Sequence, residues 1–123
     1  MNDQARVSPE LSALERLVLD VALVPDIGDN ARLREQVDAA IVATRTPSGV
    51  GFMTKLLVPE DLAVPDAPSD ETLPKVFATH PDLPAGAEFV LQVRAGRLNT
   101  IEGFCFEGMW PGDEALFRVT IRP

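Results

Sequence analysis

The clearest pattern in the chain is an apolar stripe near its start, where hydrophobic residues recur at steps of three and four. The members of the stripe are Leu11, Leu14, Val18, Val21 and Ala22. This spacing puts them on one face of an α-helix and predicts a helix that packs on the core. Ser8 suits the N-cap and Pro9 the first helical position, while Pro25 and Gly28 mark the end of the helix.

A second, shorter helix is predicted to follow, with Leu33 and Val37 as its apolar positions. Asp29 or Asn30 can serve as its N-cap, because short polar side chains accept the free backbone N–H groups of a first turn. The two helices form a helical part that covers about residues 8–37.

The rest of the chain, about residues 38–123, changes to β-branched and alternating residues and predicts strands. The first β-hairpin runs from Ala40 to Val58, and its turn Thr46–Gly49 uses Gly49 at a left-handed position. One face of its returning strand carries Val50, Phe52, Thr54, Leu56 and Val58.

A proline-rich, acidic segment separates this hairpin from the next. The stretch from Pro59 to Pro84 contains six of the 11 prolines and six of the 19 acidic residues. Because Pro removes a backbone donor and clashes inside helices, Pro59–Pro74 is predicted to be a surface loop with room for one helical turn. A short strand is predicted at Lys75–Thr79, and His80 is then expected in an exposed loop.

The strongest strand pattern lies in the C-terminal third, where Glu88–Val93 and Leu98–Phe106 flank a tight turn. A two-residue turn would place Ala95 at a costly positive φ, so we favour a type I turn with Gly96 in a left-handed bulge position. That register gives one face Phe89, Leu91, Val93, Ile101, Gly103 and Cys105, and gives the other face Val90, Leu98, Glu102, Phe104 and Phe106.

Both faces of this hairpin are apolar, which suggests that one packs on the helices while a loop or a partner covers the other.

A final strand is predicted at Phe117–Ile121. Two helices followed by five or six strands predict an α+β fold, with N-terminal helices packed on a mostly antiparallel sheet. We expect one domain over residues 1–123.

Composition and charge indicate which kinds of molecule the protein can bind. The chain has 11 basic and 19 acidic residues, for a net charge of -8. Nucleic-acid binding needs clustered Lys and Arg, so nucleic acid is not expected, whereas a basic protein partner is favoured. The longest run without a charged residue is residues 46–54, too short to span a membrane. The first residues lack the basic and apolar segments of a secretory signal, so we expect a cytoplasmic protein that does not bind membranes.

The familiar catalytic and metal-binding motifs do not occur in the sequence. It contains no phosphate-binding loop, no H-E-x-x-H zinc pattern and no G-x-S-x-G elbow. Cys105 is the only cysteine, which rules out an intrachain disulfide, and its place between two phenylalanines favours a packing role. We therefore predict no catalytic residues, no metal and no cofactor. The sequence favours a protein that is not an enzyme.

Five residues are candidates for binding: Arg45, Thr54, Arg97, Glu102 and Trp110. Glu102 lies mid-strand on an apolar face, where a carboxylate needs a partner such as Arg45 or Arg97. Trp110 either anchors a ligand or closes one end of the core. If Arg45, Glu102 and Trp110 converge, they form a small-molecule pocket; the structural alternatives are an ion pair for Glu102 and core packing for Trp110.

Two stretches carry a resemblance. Residues 45–54 read RTPSGVGFMT, and residues 96–106 read GRLNTIEGFCF with Trp110-Pro111 downstream. They resemble the R-x-x-S-G-V-G-F-x-T and G-R-L-x-x-I-E-G-F-x-F-x-x-x-W-P stretches of a family of small uncharacterised bacterial proteins. The resemblance implies a compact bacterial protein and implies no activity, substrate or cofactor. Such proteins usually carry Thr at the position of Cys105, which further argues against a cysteine nucleophile.

The leading functional hypothesis is a non-enzymatic binding or protein-interaction module, one version of which is an immunity-type or antitoxin protein that neutralises a basic partner. The alternative is a small-molecule-binding protein or enzyme with the pocket described above. A homodimer formed through the sheet is compatible with either.

Overall fold

A computed structural model describes residues 10–121, which form two helices and seven strands. The elements are α1 (Ala13–Ala22), α2 (Gly28–Val37), β1 (Ile41–Pro47), β2 (Gly51–Leu57), β3 (Asp70–Thr72), β4 (Val76–His80), β5 (Leu83–Arg94), β6 (Arg97–Cys105) and β7 (Arg118–Ile121). The predicted α+β class, with N-terminal helices and an antiparallel sheet, is confirmed. The sheet has one or two more strands than predicted.

The sheet runs in the order β1-β2-β6-β5-β4-β7, and every pairing is antiparallel. Strand β5 is 12 residues long and has two partners on one edge, with β4 along its first half and β3 at its end. The β1–β2 and β5–β6 hairpins are those that the alternating sequence pattern predicts. Both hairpins meet where β2 pairs with β6.

The first helix begins later than predicted. Its N-cap is Ser12, whose hydroxyl accepts from the backbone N–H of Glu15, and the Glu15 side chain in turn accepts from the Ser12 N–H. This reciprocal capping box satisfies two otherwise free backbone donors and fixes the start of the helix. Ser8 and Pro9, which the sequence favours as cap and first residue, lie outside the described residues. The helix ends at Ala22, ahead of the predicted stop at Pro25.

The start of the second helix is also corrected. Its N-cap is Ile27, which makes no side-chain capping bond, and Asp29 and Asn30 lie inside the first turn. The Asn30 side chain donates instead to the backbone oxygen of Pro25, at 3.1 Å. The Asn30 side chain therefore stabilises the connection between the two helices and does not cap α2.

One face of the sheet packs against the helices and forms the core. Most of the predicted apolar positions of the helices are buried, among them Leu14, Val18, Ala22, Leu33 and Val37, while Val21 is half-buried against the core. They meet the inner side chains of the central strands, of which Phe89, Leu91 and Ile101 are at most 1% exposed. The inner face predicted for the β5–β6 hairpin is thereby confirmed.

Gln36 is a fully buried polar residue in this core. Its amide nitrogen donates to the backbone oxygens of Leu62 and Gly96, at 2.9 and 2.8 Å, and its oxygen accepts from the Leu98 N–H at 2.8 Å. Since buried polar groups are costly unless they are hydrogen-bonded, all three bonds matter to stability. Gln36 ties α2 to the β5–β6 turn and to the proline-rich segment.

The β5–β6 turn differs from the prediction. Arg94 lies opposite Arg97, and the two residues between them, Ala95 and Gly96, have φ values of 50° and 77°. Tertiary contacts hold this conformation, because Ala95 N donates to Ser69 O and Gly96 O accepts from Val64 N, both at 2.9 Å. These bonds offset the cost of positive φ at an alanine.

The bulge of this hairpin lies further along, in β6. Gln92 pairs with Thr100 and Val93 pairs with Leu98, which leaves the intervening Asn99 without a partner in β5. The extra residue reverses the side-chain alternation. Leu98 therefore points into the core, where it is 3% exposed, and not to the opposite face as predicted.

The proline-rich segment contains the short turn of helix for which the sequence leaves room, at Glu60–Leu62. It also contains β3, which the sequence did not predict. Val64 and Leu73 are buried in the core and anchor the segment on both sides of its exposed middle. Among residues 10–121, no helix combines the length and apolar character needed to cross a membrane.

Candidate functional site

A cavity of about 460 Å³ opens between the start of α1, the end of the β1–β2 hairpin and the loop before β7. Its lining residues are Ser12, Glu15, Arg45, Pro47, Gly51, Phe52, Trp110 and Glu114. It is larger than the cavities beside Arg97, Phe106 and His80, and it combines charged groups with aromatic side chains.

Glu15 occupies the floor of this cavity and is 1% exposed. The capping box places it there, because its Oε1 accepts from the backbone N–H of Ser12 at 2.8 Å. Its Oε2 accepts from the hydroxyl of Thr54 at 2.6 Å, which joins α1 to β2. The helix cap and the sheet thus fix the carboxylate from two sides.

Arg45 closes the remaining side of this carboxylate. Its Nη2 lies 2.6 Å from Glu15 Oε1 and its Nε lies 3.0 Å from Glu15 Oε2, which makes a bidentate ion pair. Such two-point pairs are geometrically specific and stronger than a single contact. The Arg45 side chain remains 27% exposed, so the guanidinium links the buried carboxylate to the cavity.

These contacts fix the charge state of the pair. Burial by itself acts to raise the pKa of Glu15, but hydrogen bonds from Arg45, Thr54 and the Ser12 backbone outweigh it, and the pKa is lowered from 4.5. Hydrogen bonding to Glu15 raises the pKa of Arg45. At neutral pH the cavity floor is therefore a carboxylate held by a guanidinium.

Trp110 forms the aromatic wall. Its ring lies 5.5 Å from Phe52, 6.0 Å from Phe89 and 5.0 Å from Phe117, measured between centroids. Its Nε1 donates to Glu114 Oε2 at 2.8 Å, and its backbone N–H donates to Gly49 O at 2.9 Å. The indole is fixed at both its ring and its backbone.

Two glycines allow the strands beneath Trp110 to approach closely. A Cβ on Gly51 would lie 1.8 Å from the backbone oxygen of Gly103. A Cβ on Gly103 would lie 2.8 Å from the Phe89 ring and 3.0 Å from the Phe52 ring. Glycine at both positions leaves room for the aromatic cluster that supports the cavity.

The structure brings only part of the predicted site together. Arg45 and Trp110 both line the cavity, and Thr54 supports its floor through Glu15. Glu102 does not join them. It alternates with the inward-facing Ile101 and so lies on the opposite face of the sheet, where it pairs with Met53 and Val90.

Arg97 is also distant from the cavity, and the predicted pairing of Glu102 with Arg45 or Arg97 is not found. Arg97 lies at the β5–β6 turn and donates from Nη1 to Val58 O at 3.0 Å. The predicted convergence of Arg45, Glu102 and Trp110 is therefore wrong for Glu102. The carboxylate that meets Arg45 is Glu15.

Sequence reasoning missed Glu15 and Glu114. The signal for Glu15 was present, because Ser12-x-x-Glu15 has the spacing of a capping box. Its second function, as the partner of a strand arginine 30 residues away, depends on the tertiary fold. Glu114 has no comparable signal, since only the folded loop brings it to the indole.

His80 is buried, contrary to the expected exposed loop. It ends β4 with 5% exposure and packs against the Phe117 ring at 4.8 Å. Its Nδ1 accepts from the Asp82 N–H at 3.0 Å and its Nε2 lies 2.8 Å from Asp113 O, so the neutral ring carries its proton on Nε2. His80 thereby anchors the loop that carries Glu114.

Cys105 is buried and has the packing position that the sequence favours. Its Sγ lies 3.6 Å from Gly108 O. Within residues 10–121, no group of three or more His, Cys, Asp or Glu side chains is arranged to hold a metal ion.

Comparison of the chain with protein-family models, curated proteins and solved structures finds no match in any of the three.

Proposed function

We propose that this protein is a non-catalytic binding protein and that the cavity beside Arg45 and Trp110 is its binding site for a small organic molecule. The observation that carries this proposal is the combination of a preformed ion pair and a fixed aromatic wall around one cavity of about 460 Å³. Ligand pockets typically enclose a few hundred cubic ångströms, with mostly apolar walls and a few fixed polar groups.

The state of Glu15 supports binding over catalysis. A general base must have a free lone pair and a pKa near the working pH. Glu15 already accepts bonds from Ser12, Thr54 and twice from Arg45, and its pKa is lowered. The pair is suited to holding the shape and charge of the cavity.

The two stretches that carry the family resemblance also support a shared site. Residues 45–54 supply Arg45 and Phe52 to the cavity, and the second stretch extends to Trp110. We propose that bacterial proteins with these two stretches share this cavity.

A small-molecule screen followed by ¹⁵N–¹H NMR tests the proposal. Trp110 is the single tryptophan, so the protein has one indole N–H resonance, and this group donates to Glu114 inside the site. We expect some small aromatic compounds to shift the indole N–H together with the Gly51 amide. Trp110→Phe keeps an aromatic ring but loses the hydrogen bond, so binding should weaken; in this variant, which has no indole, binding is followed at the Gly51 amide.

Phe106→Ala is the matched control. Phe106 is an aromatic residue that is 53% exposed and does not line this cavity, so its removal should leave the shifts unchanged. A screen in which no compound moves the indole resonance, or in which Trp110→Phe and Phe106→Ala weaken binding equally, would contradict the proposal.

Protein interaction is a second candidate function, and the outer face of the sheet favours it. Phe106 and Met53 are 53% and 40% exposed there, and the ring centroids of Phe104 and Phe106 are 5.6 Å apart. Exposed apolar patches frequently mark protein interfaces. The net charge of -8 favours a basic partner, such as the target of an immunity-type protein in the cytoplasm.

Light scattering coupled to size exclusion separates the two forms that this interaction can take. A homodimer through the sheet would double the mass of 13.3 kDa, and Phe106→Asp should restore the monomer. A monomer that also fails to retain any basic protein in pull-downs under several growth conditions would count against this second function.

A further inference from the structure

Among residues 10–121, the charges that line the cavity do not cancel. These charged residues are Glu15, Arg45 and Glu114. Glu15 and Arg45 neutralise each other in a bidentate pair, which leaves the carboxylate of Glu114. The net charge of the lining is therefore one negative unit.

The behaviour of Arg45 agrees with this sign. Glu15 and then Glu114 both raise the pKa of the Arg45 guanidinium, so a positive charge is stabilised at this place. The hydrogen bond to Glu15 is the larger cause, and the negative charge of Glu114 acts in the same direction without a direct bond. A second cation in the cavity would meet the same field from Glu114.

The aromatic wall favours the same kind of ligand. Trp110 and Phe52 line the cavity, and the faces of aromatic rings attract cations, most strongly for tryptophan. Glu114 accepts a hydrogen bond from the indole N–H with one oxygen, Oε2. Among the described residues, no hydrogen bond to its other oxygen is found.

Arg45 is poorly placed to bind an anionic ligand. A carboxylate or phosphate is recognised best by two parallel N–H groups of one guanidinium. In Arg45 the Nε and Nη2 edge is occupied by Glu15, and Nη2 also donates to the backbone oxygen of Glu10 at 3.4 Å. An anion in the cavity would have only Nη1 and would lie near two carboxylates.

From these observations we infer that the ligand of the cavity is an organic cation, with an ammonium group directed to Glu114 and an apolar body against Phe52 and Trp110. This inference rests on the proposed function. It adds the chemical class of the ligand, an amine of small size attached to an aromatic or alkyl body.

Three matched probes test the charge preference: phenethylamine, 2-phenylethanol and 3-phenylpropionate, which share a phenyl body and differ in their polar end. Each is titrated into the ¹⁵N-labelled protein at pH 7 and low salt while the Trp110 indole resonance is followed. Both the amine and the alcohol can donate a hydrogen bond to the Glu114 carboxylate, but only the ammonium adds the attraction of opposite charges, so we expect the amine to bind roughly 10-fold more tightly than the alcohol. The carboxylate should bind most weakly.

Glu114→Gln is the decisive variant, because glutamine keeps an oxygen that can accept from the indole but has no charge. The roughly 10-fold preference for the amine over the alcohol should disappear. Glu102→Gln removes the same charge from the opposite face of the sheet and should keep the preference. Thermal unfolding of both variants confirms that each is folded.

The outcomes separate this inference from the proposed function. If the alcohol or the carboxylate binds as tightly as the amine at the Trp110 resonance, the cavity is a binding site but the cation preference is wrong. If Glu114→Gln retains the preference, the assignment of Glu114 is wrong. If none of the three probes shifts the resonance, the cation inference is wrong, and the proposed function is then rejected only if the broader screen also finds no ligand.

Discussion

Replacing Glu15 with glutamine perturbs the ion pair at the floor of the cavity with almost no change in side-chain volume. The carboxylate accepts two bonds at each oxygen, from Ser12 N and Arg45 Nη2 at Oε1 and from Thr54 Oγ1 and Arg45 Nε at Oε2. The amide group of glutamine cannot accept at its nitrogen. Whichever way the amide turns, at least one Arg45 donor loses its partner, and the charge of Arg45 is no longer balanced by Glu15.

The magnitude follows from burial. Removing one partner of a fully buried ion pair costs about 3–5 kcal/mol, because the remaining charge is left without compensation. Glu15 is 1% exposed, but the Arg45 side chain is 27% exposed and water can solvate part of it. We therefore expect the lower end of the range, a loss of about 3 kcal/mol in the free energy of unfolding.

Urea denaturation followed by Trp110 fluorescence and far-ultraviolet circular dichroism measures this loss. With a urea dependence of about 1.5 kcal/mol per molar, the midpoint should fall by roughly 2 M. Glu102→Gln is the matched control and should change the stability by less than about 0.5 kcal/mol. A loss below about 1 kcal/mol for Glu15→Gln would refute the idea that this pair fixes the cavity.

Three further predictions concern pH, the glycines and Gln36. Because the pKa of Glu15 is lowered on folding, the stabilisation from its charge is complete above its usual pKa of 4.5 and is lost as the pH falls through the lower folded value. The difference in unfolding free energy between wild type and Glu15→Gln, measured in urea titrations, should therefore shrink below pH 4.5. A difference that grows below pH 4.5 would contradict the assignment. Gly103→Ala should cost about 1–3 kcal/mol, since its Cβ would lie 2.8 Å from Phe89, whereas Gly112→Ala has no atom within 4 Å and should be neutral in thermal unfolding. Gln36→Leu removes the amide that bonds Leu62 O and Leu98 N, and it should lower the free energy of unfolding in urea by about 2–4 kcal/mol. An unchanged midpoint of urea unfolding would show that water replaces the amide.

The fold was largely predictable because its signals are periodic. The stripe of α1 has helical spacing, and the hairpins have alternating residues bounded by Gly49 and Gly96. Inward-facing residues such as Phe89 and Ile101 follow directly from the two-residue period of a strand. These features depend on local geometry, which the sequence determines.

The failures have tertiary causes. Ala95 adopts a positive φ because Ser69 and Val64, from a distant segment, hydrogen-bond the turn, and no local preference anticipates such bonds. His80 is buried because Phe117, 37 positions later in the chain, packs on it. In each case contacts between segments outweigh the local propensity.

The candidate site was predicted only in part, because contacts between distant segments decide which side chains meet there. Arg45 and Trp110 stand out as single residues of distinctive chemistry, and both line the cavity. Glu102 was a poor choice because a mid-strand carboxylate can face either side, and its neighbours Ile101 and Gly103 take the inner face. Pairing Arg45 with Glu15 requires the start of α1 to come within hydrogen-bond distance of β1 and β2, which no spacing in the sequence reveals.

A crystal structure of the protein with the tightest-binding compound from the screen tests the central claim most directly. The account predicts that the compound lies between Arg45 and Trp110, above an unchanged Glu15–Arg45 pair, with any ammonium group near Glu114. A compound bound instead on the outer face beside Phe104 and Phe106, with the cavity unoccupied, would contradict it.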